Sequence, residues 1–290
     1  MLVTLNGSPL EYTLEKERTI GEFLTGLEGW LEKDRFSLSG LRVDGVDIPA
    51  EKIEEIYAYG IDEVQVLDLR ATSWNDLYAQ ALVECARFLD EAAAIRCSAR
   101  SAGAAPKLEE VAERFESSAA AGILSGKAPD LRWNIAAAIR GTGMDPDADI
   151  SAEKAEIEER IAELERPREE LRQLGSTAGP LAERLESIPL ELQTGKDAQA
   201  AATLRDFTTF AAKLLRLIPS MQSEGFDPAA QKIGDQSFED FFEDFNTALR
   251  ELTAGYESGD AILVGDLAEY ELAPRLRTLE TAIAALAALS

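Results

Sequence analysis

A change of period near residue 70 constrains this chain more than any single motif. Before it, apolar residues alternate with a period of two in short runs; after it, they recur every three or four residues, the spacing of a helix face. Leu2-Val3-Thr4-Leu5 reads as a short strand, and Asn6-Gly7 behind it is the strongest two-residue hairpin signal. Leu10 to Leu14 alternates as the return strand. Thr19 with Glu22 makes a capping box ahead of Ile20, Phe23, Leu24, Leu27, Trp30 and Leu31 at helical spacing. Phe36–Ser39 and Leu41–Ile48 supply one or two further strands around Asp44-Gly45. Glu51–Ile56 gives a helical turn, and Val64–Leu69 a last strand.

In its order of strand, hairpin, strand, helix, strand and strand, this segment resembles the bacterial ubiquitin-like β-grasp modules of the sulfur-carrier and TGS type. The resemblance rests on the Asn6-Gly7 hairpin, the helix opening at Thr19 and the Val43-Asp44-Gly45-Val46 turn, and it covers residues 1–70. It implies a binding module whose exposed sheet face or edge is the contact surface. A sulfur carrier works through a free C-terminal Gly-Gly. Here the last strand runs on into Arg70-Ala71-Thr72, so carrier chemistry is not implied. The competing reading is a small domain that only packs on the helical part.

Residues 71–290 read as an all-helical domain, which makes the expected fold class α+β. Ser73 and Asp76 open a helix striped by Trp74, Leu77, Ala81, Leu82, Cys85, Phe88, Leu89 and Ala92. Shorter helices follow, one of them carrying Trp133, and both Trp74 and Trp133 are expected to pack inside. Gly141 to Asp149 reads as a loop, with a long helix opening at Ser151. Pro167 splits that helix, Gly179-Pro180 starts the next piece, and Leu190 to Lys196 is a connector. Leu185-x-x-Ile-Pro189 and Leu215-x-x-Ile-Pro219 read as two helix ends closed by proline, and 222–236 as a loop. Phe238, Phe241, Phe242 and Phe245 then place four rings on one helix face, with Glu239, Asp240, Glu243 and Asp244 opposite.

Composition narrows function by exclusion. The chain has no histidine, which removes Ser-His-Asp and Cys-His mechanisms and the commonest transition-metal ligand. A net charge of −25 argues against nucleic acid and anionic membranes, because both need clustered Lys and Arg. The charge is spread evenly: residues 1–70 hold 15 acidic and 7 basic residues, leaving 39 and 22 for the rest. That spread reads as solvated faces and suits a basic protein partner. Cys85 and Cys97 fall twelve residues apart on one expected helix, about 18 Å along its axis, too far to bridge. Unpaired thiols, no signal peptide in the first residues and no long apolar run place the expected location in the cytoplasm.

Three constellations invite chemistry. Asp145, Asp147, Asp149 and Glu156 occupy positions 1, 3, 5 and 12 of an EF-hand-like loop, although Ile150 stands where that loop needs glycine. An acidic lead-in to a helix N-terminus is the preferred reading. Thr194-Gly195-Lys196-Asp197 precedes a helix start and hints at anion binding without the spacing of a phosphate loop. Asp266, Glu269, Tyr270 and Glu271 cluster before Pro274, which removes the helical partner of the Tyr270 carbonyl and should bend the helix. With Leu263, Leu267 and Tyr270 as the buried stripe, Asp266 lies at its edge and needs a cation such as Arg216 or Arg250. No catalytic residue, metal or cofactor is assigned. The sequence favours a non-enzymatic adaptor or scaffold, able to pair with itself. An acidic helical chaperone of the secretion or flagellar-export kind comes next, and a carboxylate-dependent Mg²⁺ enzyme last.

Overall fold

Asn6 and Gly7 both take left-handed dihedrals (φ 52° and 81°), as do Asp44 and Gly45 (48° and 85°), so the two hairpin signals fold as the primed turns they announce. In the computed structural model, which describes the chain except residues 13–15, 50–51, 99–102, 144 and 288–290, these turns organise a five-stranded sheet. Its strands are β1 (Leu2–Leu5), β2 (Ser8–Pro9), β3 (Phe36–Val43), β4 (Val46–Asp47) and β5 (Val66–Ser73), in the order β2-β1-β5-β3-β4. β1 and β5 run parallel, with Leu2 opposite Val66; the other pairs are antiparallel. The Asn6 side chain bridges the turn to β5, donating to the Ala71 carbonyl at 2.9 Å and accepting from its N–H at 3.0 Å. Asp44 Oδ1 likewise accepts from Gln65 and Val66 N–H. Helix α1 (Ile20–Lys33) starts at the Thr19–Glu22 capping box and buries Leu24, Leu27 and Leu31 with Val3, Leu41, Leu67 and Leu69.

Two local expectations shift here. The return strand expected at Leu10–Leu14 is β2 at Ser8–Pro9, because the tight turn leaves Leu10 to close the hairpin with one bond, N–H to the Val3 carbonyl at 2.9 Å. Thr13 and Leu14 lie outside the described residues. The two candidate strands at 36–48 are one long strand with a bulge at Ser39 and a short partner, β4. The expected helical turn is α2 (Ile53–Tyr57).

The chain is thus α+β, a small mixed sheet within 2–73 followed by a larger helical region. Two compact units, Met1–Ile157 and Glu158–Ser290, divide it. The first holds the sheet with α1 and α2, followed by α3 (Trp74–Ser98), α4 (Ala104–Glu116), α5 (Ala119–Lys127) and α6 (Pro129–Arg140). Leu82, Cys85, Leu89, Phe115, Leu124, Ile135 and Ile139 form their interior. Burial, with Glu84 beside it, pushes the Cys85 thiol up to about 12, whereas Cys97 on the same helix is exposed. Trp74 lies under the Lys127 ammonium, 4.3 Å from the ring centroid. Trp133, expected inside, is 73% exposed, because α6 turns Leu131, Ile135 and Ile139 inward instead. Gly141 (φ 71°) ends α6, and the Arg96 guanidinium donates to the Ala138, Ile139 and Pro146 carbonyls around it. A side chain at Gly141 would collide with Arg96 Nη2 at 2.7 Å.

The division between units falls inside α7 (Pro146–Glu165). Unit two continues with α8 (Pro167–Gln193), α9 (Asp197–Ser223), the short ribbon β6–β7 (Lys232–Ile233, Gln236–Ser237) and α10 (Phe238–Ser258). It closes with α11 (Ala261–Asp266), a π-helical turn (Leu267–Leu272) and α12 (Ala273–Ala287). Pro167 splits α7 from α8 as expected, but Pro180, Pro189 and Pro219 end nothing. Each removes one backbone bond, yet Ala178, Leu181, Leu185, Ile188 and Glu191 around Pro180 and Pro189, and Leu214, Leu217 and Met221 around Pro219, continue the buried stripe in phase, and that burial outweighs the lost bond. The expected connector at 190–196 is therefore mostly the last turn of α8. The 222–236 loop contains the β6–β7 ribbon, turned at Gly234.

The four phenylalanines are core: all are at most 8% exposed, and Phe245 stacks edge-on against Phe207 of α9 at 6.0 Å. The closest helix contact is between α8 and α12. A Cβ on Gly175 would stand 2.5 Å from Ile283 Cγ2, and one on Gly179 would meet the Glu280 carboxylate at 2.7 Å. Gly175→Ala is therefore expected to lower the urea midpoint read by circular dichroism. Overpacking costs about 1–3 kcal/mol, against a helix-propensity gain of about 1 kcal/mol. Gly122→Ala, whose added carbon meets nothing within 4 Å, should raise it. Equal shifts for both would contradict the close approach.

Candidate docking surface on the C-terminal helical unit

The α10–α11 turn is built by two local rules. Gly259 adopts φ 70° to cap α10, and the Asp260 carboxylate accepts from Leu263 N–H at 3.0 Å to start α11. Pro274 acts farther along, in the first turn of α12. Without its N–H the helix widens, and Ala273 N–H reaches five residues back to the Ala268 carbonyl. The widened turn keeps Val264, Ala268, Leu272 and Leu276 inside at steps of four. Tyr270, expected on the buried stripe with Leu263, is instead 65% exposed; Leu263 is 39% exposed and Ile262 78%. Tyr256 of α10, 61% exposed, joins them to leave four large apolar or aromatic side chains facing water along this hairpin.

Beside the hairpin, a groove of about 370 Å³ separates the start of α9 from the α10–α11 turn. Its walls are mostly small, Ala198, Ala200 and Ala201 on one side and Gly255, Gly259 and Ala261 on the other, with Tyr256 as the one large side chain among them. Leu192, Leu204 and Val264 form the apolar floor, Asp197 and Asp260 the polar rim, and no basic residue lines it.

The sequence-predicted residues are distributed as follows. The bend expected at Pro274 is a π-helical turn, and Asp266, Tyr270 and Glu271 lie exposed along it with Glu269 half-buried. The adjacent Glu269 carboxylate raises the Tyr270 pKa, with Asp266 adding to the effect, while Glu271 pairs with Arg275 one turn on. Asp266 is exposed and needs no buried cation. Arg250 instead donates to Asn246 O and Thr247 Oγ1. The EF-hand-like segment is not a loop: α7 begins at Pro146, placing Asp147 and Asp149 in a helical first turn and Glu156 farther along the same helix. Ligands strung along one helix cannot converge on a cation as a 12-residue loop makes them. Among the described residues no three acidic or cysteine side chains gather as a metal would need. At the start of α9, Thr194 Oγ1 donates to its own helix's Leu190 carbonyl at 2.7 Å, and Lys196 caps without a side-chain bond.

Sequence reasoning missed a charged cluster where α7, α8 and α9 meet. Lys213 Nζ donates to Glu159 and Glu170, each at 2.9 Å, and Arg216 grips Glu163 through two bonds of 2.7 and 2.8 Å. Glu163 and Glu170 are buried. The available signal was Lys213 and Arg216 lying three apart within the Phe210–Leu217 apolar run. Every carboxylate here has a cation, which makes the cluster a structural clamp. Burial lowers the Lys213 pKa, but bonds to Glu159 and Glu170 more than offset this, leaving it above its ordinary 10.5. A raised lysine stabilises the fold fully below its unfolded pKa and loses that contribution as pH rises through the folded value. Lys213→Met should cost up to about 3 kcal/mol. The gap from the native chain should stay constant between about pH 7 and 10 and shrink only above that. A gap already closing near pH 8 would contradict the ion pairing.

Comparison with known proteins places the groove in a shared segment. Residues 169–282 match a family model described as a domain of unknown function (DUF8042), and residues 1–73 match one described as the TP0873 N-terminal domain. The chain is similar over 283 residues to a Treponema pallidum (strain Nichols) protein described as an uncharacterized protein. The two are 20% identical, and the match covers 98% of this chain and 96% of that one. No solved structure matches. Among the described residues no helix is long and apolar enough to cross a membrane.

Proposed function

We propose that this chain is a non-enzymatic, cytoplasmic adaptor that binds a basic protein partner. The observation that carries the reading is the run of exposed large side chains over the α10–α11 hairpin and the turn after it: Tyr256, Ile262, Leu263 and Tyr270 all face solvent. Exposed apolar groups scattered singly need no explanation; four within fifteen residues of one chain segment favour an interaction surface. The acidic surroundings and the net charge of −25 favour a basic partner. The N-terminal region supports the same reading. Its β2-β1-β5-β3-β4 order, parallel at the centre and crossed by α1, agrees with a ubiquitin-like β-grasp module, and such modules bind through their sheet.

The groove beside α9 favours the export-chaperone reading as a second possibility, since a chaperone holds an apolar segment of its client. A photo-crosslinking phenylalanine analogue placed at Ile262 or Tyr270 in the full chain, in its own cells, tests both. A discrete crosslinked protein of basic isoelectric point, absent from an analogue at exposed Arg172, is the expected result. A folded partner supports the adaptor and a partner captured only before folding the chaperone. No product above the Arg172 control would end both readings.

A further inference from the structure

We infer that the groove between the start of α9 and the α10–α11 turn receives a basic amphipathic helix, its apolar face packed on the alanine and glycine walls. This rests on the protein-binding reading and adds the place and shape of the contact. Three features of the groove select that occupant.

Backbone chemistry excludes an extended peptide. An added strand needs unpaired N–H and C=O groups along a sheet edge, and this groove is walled by helices α9, α10 and α11, whose interior backbone groups are already bonded. Side-chain size then favours a helix. Ala198, Ala201, Gly255, Gly259 and Ala261 keep both walls low beside the single large side chain, Tyr256, the same device that lets α12 approach α8 at Gly175 and Gly179. The polar groups are too few to orient a small molecule: Asp260 is engaged in capping α11, which leaves Asp197 and the Tyr256 hydroxyl.

Charge complementarity sets the partner's sign. From Glu251 to Pro274 the chain carries Glu251, Glu257, Asp260, Asp266, Glu269 and Glu271, and no lysine or arginine. Lys196 flanks Asp197 but does not line the groove. A second copy of this chain would bring the same carboxylates against them, so like-charge repulsion opposes self-association at this face. A helix with lysine or arginine flanking an apolar stripe meets both requirements: leucine-like side chains in the groove and beside Tyr256 and Ile262, and cations over the acidic rim.

The test uses three fluorescein-labelled peptides of 18 residues, titrated into the full chain by anisotropy. One carries leucine on one helical face and lysine on the other, one replaces lysine with glutamate, and one has the first peptide's composition with leucines scattered. The first is expected to bind, more weakly as salt rises; the other two should bind at least tenfold more weakly. Ala198→Trp and Ala261→Trp fill the groove from exposed positions on opposite walls, and each should weaken the first peptide at least tenfold while the circular dichroism spectrum is unchanged. A variant that fails to fold leaves the other to decide. Unchanged binding to a folded groove-filled variant, equal binding of the scattered peptide, or no binding to the native chain overturns the inference. If a groove-filled variant still crosslinks its partner through Ile262, the groove assignment falls and the adaptor reading stands; if the native chain crosslinks nothing, the reading itself falls.

Discussion

The contact on which the C-terminal unit depends is the approach of α12 to α8 at Gly175 and Gly179. Two glycines inside a helix weaken it by about 0.5–1 kcal/mol each relative to alanine. They are retained where Ile283 and Glu280 fill the space their side chains would occupy. α8 is the spine because its other faces are also committed. Leu181 and Leu185 join the phenylalanine core, Glu170 is tied to Lys213 of α9, and Pro189 lies 3.4 Å from where a Cβ on Gly265 of α11 would stand. With α8, α9 and α12 so fixed, the position of the α10–α11 hairpin follows, and with it the groove.

The second determinant is Pro274. A missing N–H normally implies a kink. Here it yields a turn of π-helix, which keeps a buried stripe running at steps of four from Val264 to Leu276. An undisturbed α-helix, with 3.6 residues per turn, drifts away from that spacing. The widened turn reconciles a proline with continuous burial, and it leaves Tyr270 outside beside Glu269. Widened turns of this kind are frequent at functional sites, and this one borders the surface assigned to the partner.

Much of the fold was legible in the sequence. Asn6-Gly7, Asp44-Gly45, the Thr19 capping box and the four phenylalanines acted locally as their chemistry dictates. Reading failed where a local rule met tertiary packing. Pro180, Pro189 and Pro219 look like stops, but an apolar stripe in phase on both sides carries the helix through each. Asp145 to Asp149 looks like a loop, but acidic residues after a proline at the first helical positions are also good helix starters. Of the candidate surface, the clustering of Asp266, Glu269, Tyr270 and Glu271 before Pro274 was visible. The groove was not, because it is defined by alanines and glycines from segments more than fifty residues apart, and small residues carry no signal until the chain is folded.

The most direct test is a backbone amide chemical-shift map of the ¹⁵N-labelled full chain, titrated with the leucine–lysine amphipathic peptide. The predicted perturbations centre on Asp197–Ala201 and Gly255–Val264, with Tyr270 at their margin, and leave β1 to β5 unmoved. Shifts centred on the sheet, or spread over acidic side chains throughout the molecule without a maximum at the groove, would contradict the assignment of this surface.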